Sequence, residues 1–224
     1  MYATATYKNA SEINSAMAGV YKNMGLAVLV SMVVSYLVSN SPAMMSLLFG
    51  TALKWVVIFA PLVAVFALSF TLHKVSKSAA YAMLFGFAAL MGLSMATIFA
   101  VYTSMSIFTA FMGAAVLFGT MSFYGYFTKK DLSGWGSFLF VGLIAIVIAS
   151  IINVFIGSTV TQMVISAIGI IIFTGLTAYD TQRIRNELSV SDSGNAEVSG
   201  ALSLYLNFIN LFMSLLQLFG NRDE

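Results

Sequence analysis

The run ALSLYLNFINLFMSLLQLF, residues 201–219, decides the fold. It is apolar enough for a lipid-facing helix, yet Ser203, Asn207, Asn210, Ser214 and Gln217 recur in it at steps of 4, 3, 4 and 3. On a helix turning about 100° per residue, these side chains fall within an arc of roughly 80°. Lipid supplies no hydrogen-bond partners, so the strip must face protein or water. The segment reads as an inner helix of a membrane bundle.

The rest of the chain agrees. Hydrophobic residues make up 60% and charged residues 8%, against about 25% charged in soluble domains. No charge occurs from Asn23 to Leu53, Trp55 to Leu72, Ser78 to Thr128, Leu132 to Tyr179, or Val198 to Asn221. A spanning helix needs about 20 apolar residues, so the two longest intervals each hold two helices, broken near Thr103–Ser106 and Gly157–Gln162. The expectation is an all-α integral membrane protein with seven transmembrane helices, near 23–39, 55–72, 79–102, 106–127, 138–156, 162–180 and 200–219. Ser41-Pro42 is expected to close the first, because proline cannot continue a helical ladder. No linker separates domains: residues 1–22 read as a cytoplasmic N-terminal segment and 23–224 as one membrane domain. The first helix does not resemble a cleavable signal, since a polar stretch precedes it and no Ala-x-Ala-like site follows.

With the N-terminus cytoplasmic, Lys8, Lys22, Lys74, Lys77, Lys129, Lys130, Arg183 and Arg185 lie on the cytoplasmic side and Lys54 and Arg222 opposite. Eight against two follows the positive-inside rule. The net charge of +2 therefore reports topology and points to no nucleic-acid partner; the partner implied is the lipid bilayer. The lack of cysteine excludes disulfides and thiolate metal sites. Two weak echoes, Leu84-Phe85-Gly86 with Gly92 and Leu117-Phe118-Gly119 with Gly125, are read as glycines for close helix approach, like Ala145 and Ala149, rather than as a duplication.

Several chemistries fall away. No lysine follows Lys130 to carry a retinal Schiff base, and the single histidine, His73, cannot make a zinc protease site or activate Ser94. No glycine-rich phosphate loop is present, and enzymatic activity is not expected. What remains is Asp180, the acidic residue contiguous with an apolar helix, in Gly175-Leu176-Thr177-Ala178-Tyr179-Asp180-Thr181-Gln182. At a helix C-terminus the macrodipole opposes a carboxylate. Asp180 either pairs with Arg183 three residues on, or faces the bundle interior and meets the polar stripe, as acidic residues on ion or proton paths do. If helices six and seven are neighbours, Asp180 and Asn207 lie at similar depth.

The Gly175–Gln182 segment, the Ala201–Phe212 segment and the Lys129-Lys130-Asp131-Leu132-Ser133 loop together resemble the Bax-inhibitor-type family of membrane proteins, bacterial members above all. The resemblance implies a seven-helix bundle with the last helix central, in a bacterial inner membrane. It also implies a pH-sensitive calcium leak or, alternatively, a non-conducting role restraining a membrane-bound ATP-dependent protease. The family's pH sensor is a pair of aspartates. One matches Asp180; the other aligns with Asn207. Two touching carboxylates share a proton and titrate as a unit, whereas an amide is nearly isosteric with a protonated carboxyl and does not titrate. Weakened or shifted pH sensing is therefore expected. In the family arrangement a cation also pairs with the first aspartate, and Lys74 is preferred here over His73 and Lys77, although each also fits as an interfacial anchor. No cofactor is implied beyond calcium as a permeating ion. Asp180 with oxygens of Asn207, Asn210, Ser203 and Tyr205 would make a weak calcium site, which suits an ion that must leave again. Asn153 is a further candidate interior polar group.

Overall fold

The computed structural model describes residues 8–190 and 194–222. Its helices are α1 (Ala10–Ser39), α2 (Pro42–Phe49), α3 (Leu53–Thr71), α4 (Lys77–Ser94), α5 (Ile98–Val101), α6 (Ser104–Phe127), α7 (Ser133–Ile156), α8 (Thr159–Val190) and α9 (Gly194–Phe219), with a 3-10 turn at Leu72–Lys74. Seven spans are long and apolar enough to cross a membrane: α1, α3 with the 3-10 turn, α4 with α5, α6, α7, α8 and α9. The all-α membrane architecture follows. Chain packing divides into two compact units, each discontinuous in sequence: residues up to Tyr102 with Glu187–Tyr205, and Thr103–Asn186 with Leu206–Arg222.

The helices depart from the expected ones at four places. The first helix begins at Ala10, not near 23, because Asn9 and Glu12 form a capping box: Asn9 Oδ1 accepts from the Glu12 N–H at 2.9 Å and Glu12 Oε2 from the Asn9 N–H at 2.8 Å. Most of the segment expected at 1–22 is thus helical, and its first seven residues lie outside the described residues. Ala16, Met17, Val20 and Met24 continue the buried stripe of α1 through those turns. Pro42 opens a helix rather than merely closing one. It occupies the first turn of α2, where its missing N–H has no intrahelical partner to lose, behind the Ser41 cap. The third span is interrupted after Ser94 and resumes at Ile98. The sixth runs on to Val190, so the connection of roughly 20 residues expected before the last span is almost entirely helix.

In the first unit α1 packs along α4, and a Cβ at Gly92 would lie 2.6 Å from the Ser31 carbonyl oxygen. From α9 this unit takes Val198, Ala201, Leu204 and Tyr205, all fully buried. The Tyr205 hydroxyl sits 2.6 Å from Ser31 Oγ, which lies 2.7 Å from the Ala88 carbonyl. Ser31 has one proton and directs it to that carbonyl, so Tyr205 is the donor to Ser31. In the second unit Gly125 of α6 packs against the backbone of Ala178 in α8, and Gly136 of α7 against the Tyr179 ring. Phe208 of α9 meets Phe111 and Phe118 edge-on, with ring centres 5.4 and 5.6 Å apart. Over its most apolar stretch α9 is 56% buried, against 11% for α7, which turns Phe138, Val141, Ile148 and Phe155 outward. The last helix supplies core to both units.

The glycine reading holds only for the second member of each echo. Gly92 and Gly125 sit at close backbone approaches, while Gly86 and Gly119 have nothing within 4 Å of a Cβ. Ala145 is exposed and marks no helix contact.

Candidate functional site

Asp180 lies ten residues before the end of α8, not at its C-terminus, so the expected opposition from the macrodipole is absent. Both sequence readings of this residue hold together. Asp180 Oδ1 accepts from Arg183 Nε at 3.1 Å and Nη2 at 2.8 Å, one turn along the same helix. Asp180 Oδ2 accepts from Asn207 Nδ2 of α9 at 2.7 Å. A carboxylate cannot donate, so the amide nitrogen must be the atom that faces it. Asp180 is 9% exposed and Asn207 5%, while the Arg183 side chain keeps 39% of its surface. The buried carboxylate thus has a neutral donor on one oxygen and a half-exposed cation on the other, which meets the requirement that a buried charge be paired and hydrogen-bonded.

Neighbouring residues pin this stretch of α8. Thr177 donates to its own Phe173 carbonyl at 2.7 Å, and Thr181 Oγ1 lies 3.3 Å from Ser122 Oγ of α6. Gln182 closes the 128–132 loop from both sides: its Nε2 donates to the Lys130 carbonyl at 2.8 Å and its Oε1 accepts from the Leu132 N–H at 2.9 Å. In that loop Asp131 receives the Ser133 hydroxyl and N–H, which hold its carboxyl below the usual carboxylate value. Arg185 lies over the Tyr126 ring and donates to the Tyr126 carbonyl.

All five residues of the polar stripe are shielded from the outside to some degree. Asn207 and Ser214 are buried, and Ser203, Asn210 and Gln217 half-buried. They do not form one ligand set. Asn210 Nδ2 turns back to the Leu206 carbonyl at 2.8 Å. Ser214 packs on Gly169 of α8, its Oγ 2.7 Å from where a Cβ would stand. Tyr205, counted as a possible calcium ligand, has its hydroxyl on Ser31. Among the described residues, no group of three or more His, Asp or Glu side chains could hold a metal. Lys74 is exposed on the 3-10 turn of the first unit, and the cation bonded to Asp180 is Arg183.

A second polar cluster was only partly legible. Gln217 Oε1 accepts from Gln162 Nε2 at 2.6 Å and from Ser166 Oγ at 3.1 Å, both of α8. Asn153 of α7 donates to Gln162 Oε1 at 3.1 Å and to the Ser158 carbonyl at 3.2 Å. Asn153 and Gln217 stand out in the sequence. Gln162 and Ser166 do not, because the charge-free interval places the helix break as far as Gln162; their spacing of four, continued by Gly169 and Phe173, is the signal that marks them.

Comparison with known proteins bears on what such a bundle is for. The family model described as "Inhibitor of apoptosis-promoting Bax1" matches residues 13–224. Inner membrane protein YbhL of Escherichia coli (strain K12) is 43% identical over 213 residues, covering 92% of this chain and 91% of the relative. An uncharacterized protein of Caulobacter vibrioides is 39% identical over 222 residues, covering 93% and 89%, and one of Deinococcus radiodurans is 36% identical over 220 residues, covering 96% and 94%.

Proposed function

The chain belongs to the Bax inhibitor family of membrane proteins, and on that premise we propose that it is a calcium-permeable leak of a bacterial inner membrane, N-terminus cytoplasmic, with weakened pH sensing. The observation that carries the reading is the 2.7 Å contact between the buried Asp180 carboxylate and Asn207. A charge held between two apolar helices is expensive and usually marks an ion or proton path. Asn207 donates to that charge without titrating, so the pair cannot share and release a proton as two carboxylates would.

Calcium flux into dye-loaded proteoliposomes at several pH values tests this. The natural protein is expected to leak with little pH dependence, Asp180→Ala to change the leak, and Asn207→Asp to introduce a pH-dependent step. A natural protein whose flux already steps with pH would refute the weakened-sensor part.

The second reading, a non-conducting partner that restrains a membrane-bound ATP-dependent protease, draws on a different observation. At about 1.5 Å per residue α1 and α8 are roughly 45 and 48 Å long, well beyond the ~30 Å hydrocarbon core, so both offer helical turns outside the membrane. Folded protein that does not leak in any of the three forms would favour it. Deleting the first 20 residues is a poor discriminator, because it removes Met17 and Val20, 2% and 0% exposed, from the core of the first unit.

A further inference from the structure

We propose that Gln162, Ser166 and Gln217, braced by Asn153, form a closed gate on the α8–α9 seam at the end opposite Asp180. The consequence for ion flux rests on the leak reading above; the gate itself does not. Gln162 and Asp180 are 18 residues apart on one helix, roughly 27 Å, close to the thickness of the hydrocarbon core. The two ends differ in kind. The Asp180 end carries a fixed charge with a half-exposed counter-ion. The Gln162 end is neutral, and its groups meet one another: Gln162 and Ser166 donate to Gln217, and Asn153 to Gln162. Such a cluster needs no counter-ion, and its flanks are buried, Asn153 at 7% and Ser166 at 1% exposure, with Gln162 and Gln217 half-buried.

What lies behind it argues for a gate rather than simple glue. One turn inward the seam narrows to the smallest side chains available, Gly169 against Ser214. The bulk that closes this end therefore belongs to the amides. Parting them uncovers the Ser166 hydroxyl and, where α8 and α9 touch behind it, that of Ser214. The clasp is tied to the α7–α8 turn, where Gly157 takes the left-handed conformation at φ 70° and the Ser158 N–H caps Asn153 Oδ1 at 3.2 Å.

The chain has no cysteine, so Ser214→Cys is a sole thiol reporter just behind the clasp. Sealed vesicles are treated from each face with a membrane-impermeant cationic methanethiosulfonate, and unfolded samples confirm that every form can label. Ser214→Cys alone is expected to react slowly from both faces. Adding Gln217→Leu or Gln162→Leu is expected to accelerate labelling roughly ten-fold from the face bearing the α7–α8 turn, the change that loss of one buried hydrogen bond can produce, and not from the other face. Equal rates with and without the second substitution overturn the gate. Ser166→Ala, a milder change that leaves the amide pair, is expected to give a smaller acceleration, and equal rates there overturn it too should the leucine forms not fold. Flux separates the two ideas. Accelerated labelling with no leak from any form keeps the gate and removes the leak reading, whereas a leak with unchanged labelling keeps the leak and removes the gate.

Discussion

At the scale of single residues, Asn207 is the decisive position. Its amide gives Asp180 a donor at 2.7 Å, and Arg183 is the charged group on the other oxygen. In Asn207→Asp the second carboxyl can keep that bond only while it carries a proton. The proton leaves as pH rises, so repulsion appears on the alkaline side, with Arg183 offsetting part of it. Stability of the variant relative to the natural protein should therefore fall as pH rises, because two like charges then face each other in a buried contact. The loss should approach the ~1.5–3 kcal/mol of a hydrogen bond to a charged group. Thermal unfolding in detergent across pH checks this, and a constant difference between the two proteins would remove the proton-sharing argument. The Asp180–Asn207 contact was legible because acidic and amide residues are conspicuous in apolar runs. Arg183 was legible as a neighbour at i+3, but only the structure shows that one carboxylate takes both partners, one on each oxygen. Tyr205 misleads although its spacing warns against it: two residues past Ser203, it lies about 200° around α9 from the polar stripe, and its hydroxyl meets Ser31 instead.

Among helices, the number of spans was readable and their ends were not. Apolar runs report where lipid is, so they give seven spans, but caps report where helices stop. Reading Asn9-x-x-Glu12 as a capping box would have placed the start of α1 correctly. No local signal ends α8 at Asp180, since Thr181–Val190 continues with ordinary helix formers and buries Ile184 and Leu188. Glycine shows how little composition alone says about packing. Gly119 and Gly125 share α6, but the first has open space at its Cβ position and the second meets the Ala178 backbone. Alanine at 119 should be neutral or stabilising by up to about 1 kcal/mol, the usual gain over glycine inside a helix. Alanine at 125 should cost about 1–3 kcal/mol or more, because backbone cannot rotate out of the way. Opposite shifts in Tm are expected, and equal shifts would show that α6 and α8 are not closely packed there.

For the whole molecule, the orientation we propose follows from the order of the spans and the placing of basic residues along it. Seven successive crossings would sort the segments between spans into two sets: 41–52, 102–103 and 157–158 in one, and 75–76, 128–132 and the segment between α8 and α9 in the other. On that sorting eight basic residues share one side, with Lys54 and Arg222 on the other, as the positive-inside rule favours. The extension of α1 and α8 beyond the expected ends does not disturb this agreement, because both add turns on the basic side, where Lys8, Lys22, Arg183 and Arg185 lie. Thr51 and Lys129 are exposed in the two sets, and the cysteine-free background makes each a clean reporter. In whole cells Thr51→Cys should react with an impermeant thiol reagent supplied from outside, and Lys129→Cys only after the membrane is broken. Both reacting from outside would mean the span count is wrong by one between them. The reverse pattern would keep the count and invert the protein, which would place Asp180 near the outer face and the Gln162–Gln217 cluster near the cytoplasm, and would require the proposed leak and its gate to be reassigned to opposite sides.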